Sequence, residues 1–192
     1  GNIFGYADGM SYGVVSASNY KATFFDGECA VIATDIPAEE QGTGMLFNMD
    51  GEVVGMISSS VWNDTGKNVV NAYGISDLKP IIELLINGKS VPYIGIYGTT
   101  VTEQLAEEHK MPSGIYVADV DPDSPAMVAG IQIGDIICEA SGEEIKDIAA
   151  YQNIVIGSSV GETMEFVGKR LGSDGYVNIK FSVVTTEKEE VK

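Results

Sequence analysis

Histidine, cysteine and basic side chains are all scarce in this chain, and each scarcity excludes a class of function. The 192 residues hold one histidine, two cysteines, and 11 Lys plus Arg against 28 Asp plus Glu. A net charge of −17 argues against nucleic acid, whose phosphates need cationic side chains to replace their counterions. It argues equally against an anionic membrane surface. The acidity itself reads as a solubilising surface. Cys29 and Cys138 lie far apart on separate strand-like runs. A disulfide framework or a zinc site needs more ligands at closer spacing, so two buried free thiols are expected, with no metal and no cofactor. His109 follows Glu107-Glu108 near a helix end, where a cation is mildly favoured; it reads as a solvated surface histidine without a catalytic role. No apolar run reaches the roughly 18 residues of a membrane span, and no signal-peptide pattern opens the chain. The expectation is a cytosolic protein, or a fragment whose targeting segment has been removed.

What is present is β-forming. Apolar residues alternate between Gly, Asp and Asn clusters, and 23 glycines supply turns, a pattern of strands more than of helices. The length suits one large domain or two small ones. Strands are expected at Tyr12–Ala17, Cys29–Thr34, Glu52–Ser58 and Asn68–Tyr73, with Asp50-Gly51 as a hairpin turn. Ser76 or Asp77 can cap a helix whose apolar stripe is Leu78, Ile81, Ile82, Leu85 and Ile86, and Gly88 ends it. The polar residues that follow mark a linker at 89–91.

A second series of elements starts at Pro92. Tyr93–Tyr97 reads as a strand, and Thr100-Val101-Thr102-Glu103 as a capping box opening a helix to about Lys110. Gly114–Val120 is a strand. Ser124-Pro125 through Gly130 is a compact helix, with serine at its cap, proline at its first position and glycine past its end. Asp135–Ala140, Glu162–Arg170 and Tyr176–Val184 complete the strands, and a helix runs from Asp147 to about Val155. The tail from Glu187 is charged and expected to fray.

Gly114-Ile115-Tyr116-Val117-Ala118-Asp119-Val120, Ser124-Pro125-Ala126, Ala129-Gly130-Ile131, Gly134-Asp135-Ile136-Ile137 and Ser141-Gly142, in that order, resemble the PDZ domains of HtrA-type proteases. The resemblance implies a small sheet with two helices and a groove between one strand and the Asp147–Val155 helix. A peptide C-terminus would add there as an extra strand, held by main-chain bonds and chosen by side-chain pockets. Its carboxylate needs converging backbone N–H groups, which a loop with an unhindered glycine can present. Tyr93-Ile94-Gly95-Ile96 matches the family's carboxylate loop. Ile94 and Ile96 would line the pocket for the last peptide residue, with Ile148 or Tyr151 as helix-side walls. The alternative is that these apolar side chains are core.

Residues 1–88 carry a second resemblance. Gly1-Asn2-Ile3-Phe4-Gly5-Tyr6, Gly13-Val14-Val15-Ser16-Ala17, Thr34-Asp35, Leu46-Phe47-Asn48 and Gly51-Glu52-Val53-Val54-Gly55 are similar to the second barrel of HtrA-type, trypsin-like proteases. The family's Gly-Asn-Ser-Gly-Gly-Pro-Leu motif is replaced by Glu40-Gln41-Gly42-Thr43-Gly44-Met45-Leu46. The nucleophile position falls on Gly42, and Thr43 is one residue late. Serine catalysis also needs a histidine base and an orienting carboxylate, which the family draws from its first barrel. Two readings stay open: a pseudoprotease, or part of an active envelope endopeptidase with Thr43 as a displaced nucleophile.

The expected architecture is therefore mainly β with short helices. It places a partial trypsin-like barrel at 1–88, a PDZ domain at 92–186 and a tail at 187–192. Peptide or protein C-termini are the expected partners, unless the PDZ unit serves assembly alone. Open barrel edges should pair between copies, most simply as a two-fold dimer. The resemblance implies a parent protein outside the cytoplasm, often membrane-tethered.

Overall fold

In a computed structural model of the chain, residues 9–37, 42–58 and 69–187 are described, and they divide into two units. The first reaches Ala22 and resumes from Cys29 to Glu83. The second takes the turn Thr23–Glu28 and the chain from Leu84 on. Gln41, Asn68, the opening Gly1–Tyr6 and the tail beyond Glu187 lie outside the described residues.

The first unit is one sheet in the order β1-β2-β5-β4-β3. Its strands are β1 (Val15–Phe24), β2 (Gly27–Pro37), β3 (Gly44–Phe47), β4 (Val53–Ile57) and β5 (Val69–Gly74). β1 and β2 run well past the expected Tyr12–Ala17 and Cys29–Thr34, meeting at a turn of only Phe25 and Asp26. On β2, Cys29, Val31, Thr34 and Ile36 are buried, a period of two broken once where the register with β5 shifts between Ala33 and Pro37. Buried Thr34 satisfies its hydroxyl on the Val70 carbonyl at 2.7 Å and accepts from the Ile36 N–H. Ala22, Val31, Ile36, Ile57, Val70 and Ala72 form the core. Asp50-Gly51 makes the expected turn between β3 and β4: Gly51 has φ 81°, and the Asn48 side chain accepts from the N–H groups of Asp50 and Glu52.

Helix α1 (Ile75–Ile86) forms where expected, but its cap and its stripe differ. The Asp77 carboxylate accepts from the Ala30 N–H at 2.7 Å, tying the first turn to β2. None of the helix residues is buried, and Leu85 and Ile86 are exposed. Both cysteines are free; Cys29 is buried but Cys138 only half so. Burial, with Asp77 nearby, pushes the Cys29 thiol up to about 12, so it stays protonated and inert at neutral pH.

The second unit is a sheet ordered β12-β11-β9-β8-β7, with β10 on β9 and a separate β6–β13 pair. Its strands are β6 (Pro92–Tyr93), β7 (Ile96–Thr100), β8 (Ile115–Val120), β9 (Ile136–Ala140), β10 (Glu143–Glu144), β11 (Thr163–Gly172), β12 (Gly175–Val184) and β13 (Thr186–Glu187). Helices α2 (Glu103–His109), α3 (Pro125–Ala129) and α4 (Ile148–Gly157) lie between them. Thr102, Ser124 and Asp147 cap these helices, each side chain accepting an N–H three residues on. Such caps contribute about 1 kcal/mol each. Gly130 ends α3 at φ 88°, as its sequence foretells.

One core runs through the unit, built on Ile94, Ile115, Ile137, Tyr151, Met164 and Phe166 among others. Beside it Arg170 forks onto buried Asp135 at 2.6 and 2.8 Å and reaches the Gly130 carbonyl. This pair joins β11 to the end of α3. The expected strand Tyr93–Tyr97 is split into β6 and β7, because Gly95 sits at φ 92° and turns the chain out of the extended conformation.

Candidate functional site

The split strand builds the site. Among the described residues β7 is the edge of its sheet, with β8 as its one partner strand. Just before it, the Tyr93–Ile96 loop bends at Gly95. A left-handed φ brings successive N–H groups to one side, where they can hold an anion. A side chain at Gly95 is excluded twice: by φ, and because a Cβ there would lie 2.3 Å from the Cβ of Ser124. The loop is fastened from behind by N–H bonds from Ala126 to the Ile94 carbonyl and from Asp121 to the Gly95 carbonyl, both 2.9 Å. The Tyr93 hydroxyl donates to Asp121; burial first, then that bond, pushes the phenol well up.

Three backbone N–H groups of the loop converge. The Ile94 and Gly95 amides point at one oxygen at 2.7 and 2.8 Å, and the Ile96 amide at a second at 2.9 Å. The oxygens belong to Asp26, a residue of the Thr23–Glu28 turn that packs as part of this unit. The Tyr151 hydroxyl on α4 donates to the same carboxylate at 2.6 Å, and the Asp26 N–H donates to the Ile96 carbonyl at 2.7 Å. The flanking residues follow suit: Phe25 meets the Tyr97 ring edge-on at 5.8 Å, and the Glu28 N–H donates to Gln152 Oε1 on α4 at 3.0 Å.

Asp26 is thus a buried carboxylate with four donors. Burial pushes its carboxyl up, outweighing the opposite pull of Tyr151 and the three amides. Burial and the adjacent carboxylate also push the Tyr151 phenol well up, which keeps it a donor.

Tyr93, Ile94, Gly95, Ile96, Ile148 and Tyr151 come together, and all six are buried. Ile94, Ile96, Ile148 and Tyr151 share the core cluster. Sequence reasoning missed Asp26. Its one local signal is the dipeptide Asp26-Gly27, which marks a turn but names no partner some 70 positions away.

In the first unit Gly42 is buried and Thr43 exposed, and Gly44 opens β3. The single histidine, His109, ends α2 on the surface of the second unit. Among the described residues no group of three His, Cys, Asp or Glu could hold a metal, and no helix is long and apolar enough to cross a membrane.

A family model described as a PDZ domain matches residues 116–170. A probable periplasmic serine endoprotease, DegP-like, of Halomonas elongata is 30% identical over 93% of this chain and 39% of its own length. The periplasmic serine endoprotease DegP of Escherichia coli K12 is 28% identical over 94% of this chain and 39% of its own. The chain therefore spans about two fifths of these curated relatives. Among solved structures, the HtrA-type protease AlgW with a decapeptide superposes with a TM-score of 0.61 at 23% identity, over 98% of this chain and 59% of that one. That likeness bears on the fold, which is mainly β as the sequence implies.

Proposed function

The chain is homologous to the HtrA/DegP-type serine proteases and carries their associated PDZ domain; on that premise we propose that it recognises peptide or protein C-termini and does not itself hydrolyse them. One observation carries the reading: at the edge of β7, which pairs with no second strand among the described residues, the amides of Ile94, Gly95 and Ile96 converge on the Asp26 carboxylate. Edge and anion site together are what strand addition of a C-terminus requires. In isothermal titration, pentapeptides ending in valine or phenylalanine should bind at least tenfold more tightly as free acids than as amides. Equal binding would reduce the unit to an assembly module.

The hydrolytic half of the reading rests on Gly42 at the nucleophile position and on a single histidine, carried by the other unit. Removing a triad member typically costs several orders of magnitude in rate. A fluorophosphonate serine probe is expected to leave this chain unlabelled. Labelling that vanishes in Thr43→Ala would instead make Thr43 a displaced nucleophile. The relatives' periplasmic names favour a place outside the cytoplasm.

Among the described residues the first unit's sheet ends in edges at β1 and β3. Beside β3 an open cleft of about 560 Å³ is lined by Tyr12, Ile36, Met45, Leu46, Phe47 and Ile57. Unpaired edges next to exposed apolar side chains favour pairing with a second copy. Light scattering is expected to give twice the monomer mass at high concentration; a monodisperse monomer would contradict it.

A further inference from the structure

The groove residues are buried, and what buries the anion site is the chain's own turn. We propose that Asp26 is an intramolecular ligand of the carboxylate loop, so that the groove is held occupied and an incoming C-terminus binds by displacing it onto the same four donors, with the Tyr151 hydroxyl as a carboxylate-binding group. The inference rests on the groove reading above and adds its regulation.

The geometry is that of a ligand more than of a brace. Asp26 presents both oxygens to three amides and one hydroxyl. Among the described residues no cation is bonded to it, so the donors alone offset its charge, as they would for a peptide terminus. Its own N–H bonds the Ile96 carbonyl, the acceptor that the last residue of an added strand would use. The turn adopts φ 64° at Asp26, a left-handed conformation that a non-glycine residue enters at a cost.

Exchange is balanced. An incoming carboxylate takes the four donors that Asp26 gives up, and an incoming N–H takes Ile96. Beyond these, the turn is also held through the Phe25–Tyr97 edge contact, the Glu28–Gln152 bond and the close packing of Gly27 on Gln152, and the pairing of an incoming strand along β7 has to offset their loss. Self-occupation multiplies the intrinsic affinity by the small fraction of open groove, and so raises the apparent Kd.

The test uses the full chain and fluorescein-labelled pentapeptides ending in valine or phenylalanine, each as free acid and as amide, followed by anisotropy. Asp26→Ala is expected to tighten free-acid binding tenfold or more and to leave the amides unchanged. Adding Tyr151→Phe should return roughly three- to tenfold of that gain, since one of four donors is lost. Free acids that prefer the groove over amides yet bind wild type and Asp26→Ala alike would overturn self-occupation and leave the groove reading standing. Acids and amides bound alike by both proteins would overturn the groove reading and this inference with it. Should Asp26→Ala fold poorly, NMR of the wild type decides. Saturating free acid is expected to release the Phe25 and Glu28 amide resonances towards solvent-exposed positions. Peptide bound with those resonances unmoved would overturn the proposal.

Discussion

Gly95→Ala is expected to cost the second unit about 2–5 kcal/mol and to abolish binding at the carboxylate loop. Two effects add. A non-glycine residue held at φ 92° costs about 1–2 kcal/mol. The new Cβ would also lie 2.3 Å from the Cβ of Ser124 and 2.7 Å from its Oγ. Ser124 cannot step aside, because it is buried and its Oγ caps α3 by accepting the Met127 N–H. Overpacking of this kind costs typically about 1–3 kcal/mol. Gly142→Ala separates the two: Gly142 has φ 85°, but nothing lies within 4 Å of its would-be Cβ, so only the backbone cost applies. Urea unfolding should rank Gly95→Ala well below Gly142→Ala. Equal losses would mean that the loop relaxes around the side chain.

Phe166→Ala is expected to cost a similar amount, about 3–5 kcal/mol for deleting a fully buried ring, by a different route. Phe166 is 0% exposed. It sits on β11 opposite Phe181 on β12 and Ala140 on β9, and its ring lies 6.4 Å from that of Tyr151, tilted by 50°. The cavity would therefore open behind the residue that aims its hydroxyl at the carboxylate. Stability and carboxylate binding should fall together, whereas Phe166→Leu, which fills most of the volume, should lose less of both. A loss below about 1 kcal/mol would contradict the packing described.

Much of the second unit was legible because its signals are local. Ser124-Pro125, Gly130 and Asp147 each act within one helical turn, and each does what its type favours at that position; the capping box opened at Thr100 did not form, because Thr100 belongs to β7 and accepts the Ile148 N–H while Thr102 caps α2. In the first unit Asp50-Gly51 is equally plain. The long β1 was not legible: Val15 to Tyr20 is exposed on successive positions, so the strand carries no period of two and owes its form to pairing with β2. The helix stripe misled in the opposite sense, since Leu85 and Ile86 are apolar at the right spacing and yet exposed. Gly95 was legible as a glycine that the loop requires, but not as a break dividing one strand into two. Asp26 was illegible for a simpler reason. Its four donors lie between 68 and 125 positions away, and no local pattern encodes a partner at that range.

The turn between β1 and β2 is only two residues long, and this brevity sets a threshold. A displaced Asp26 does not diffuse away; it stays tethered beside the loop. Tethers this short hold their group at an effective concentration of order millimolar. A free carboxylate such as acetate, which offers no strand to pair with β7, would have to exceed that concentration merely to draw level. A C-terminus that also adds a strand along β7 competes with more than its charge. On the proposed self-occupation, small acids and weak termini would fail to displace the turn, and only ligands that engage the whole edge would bind.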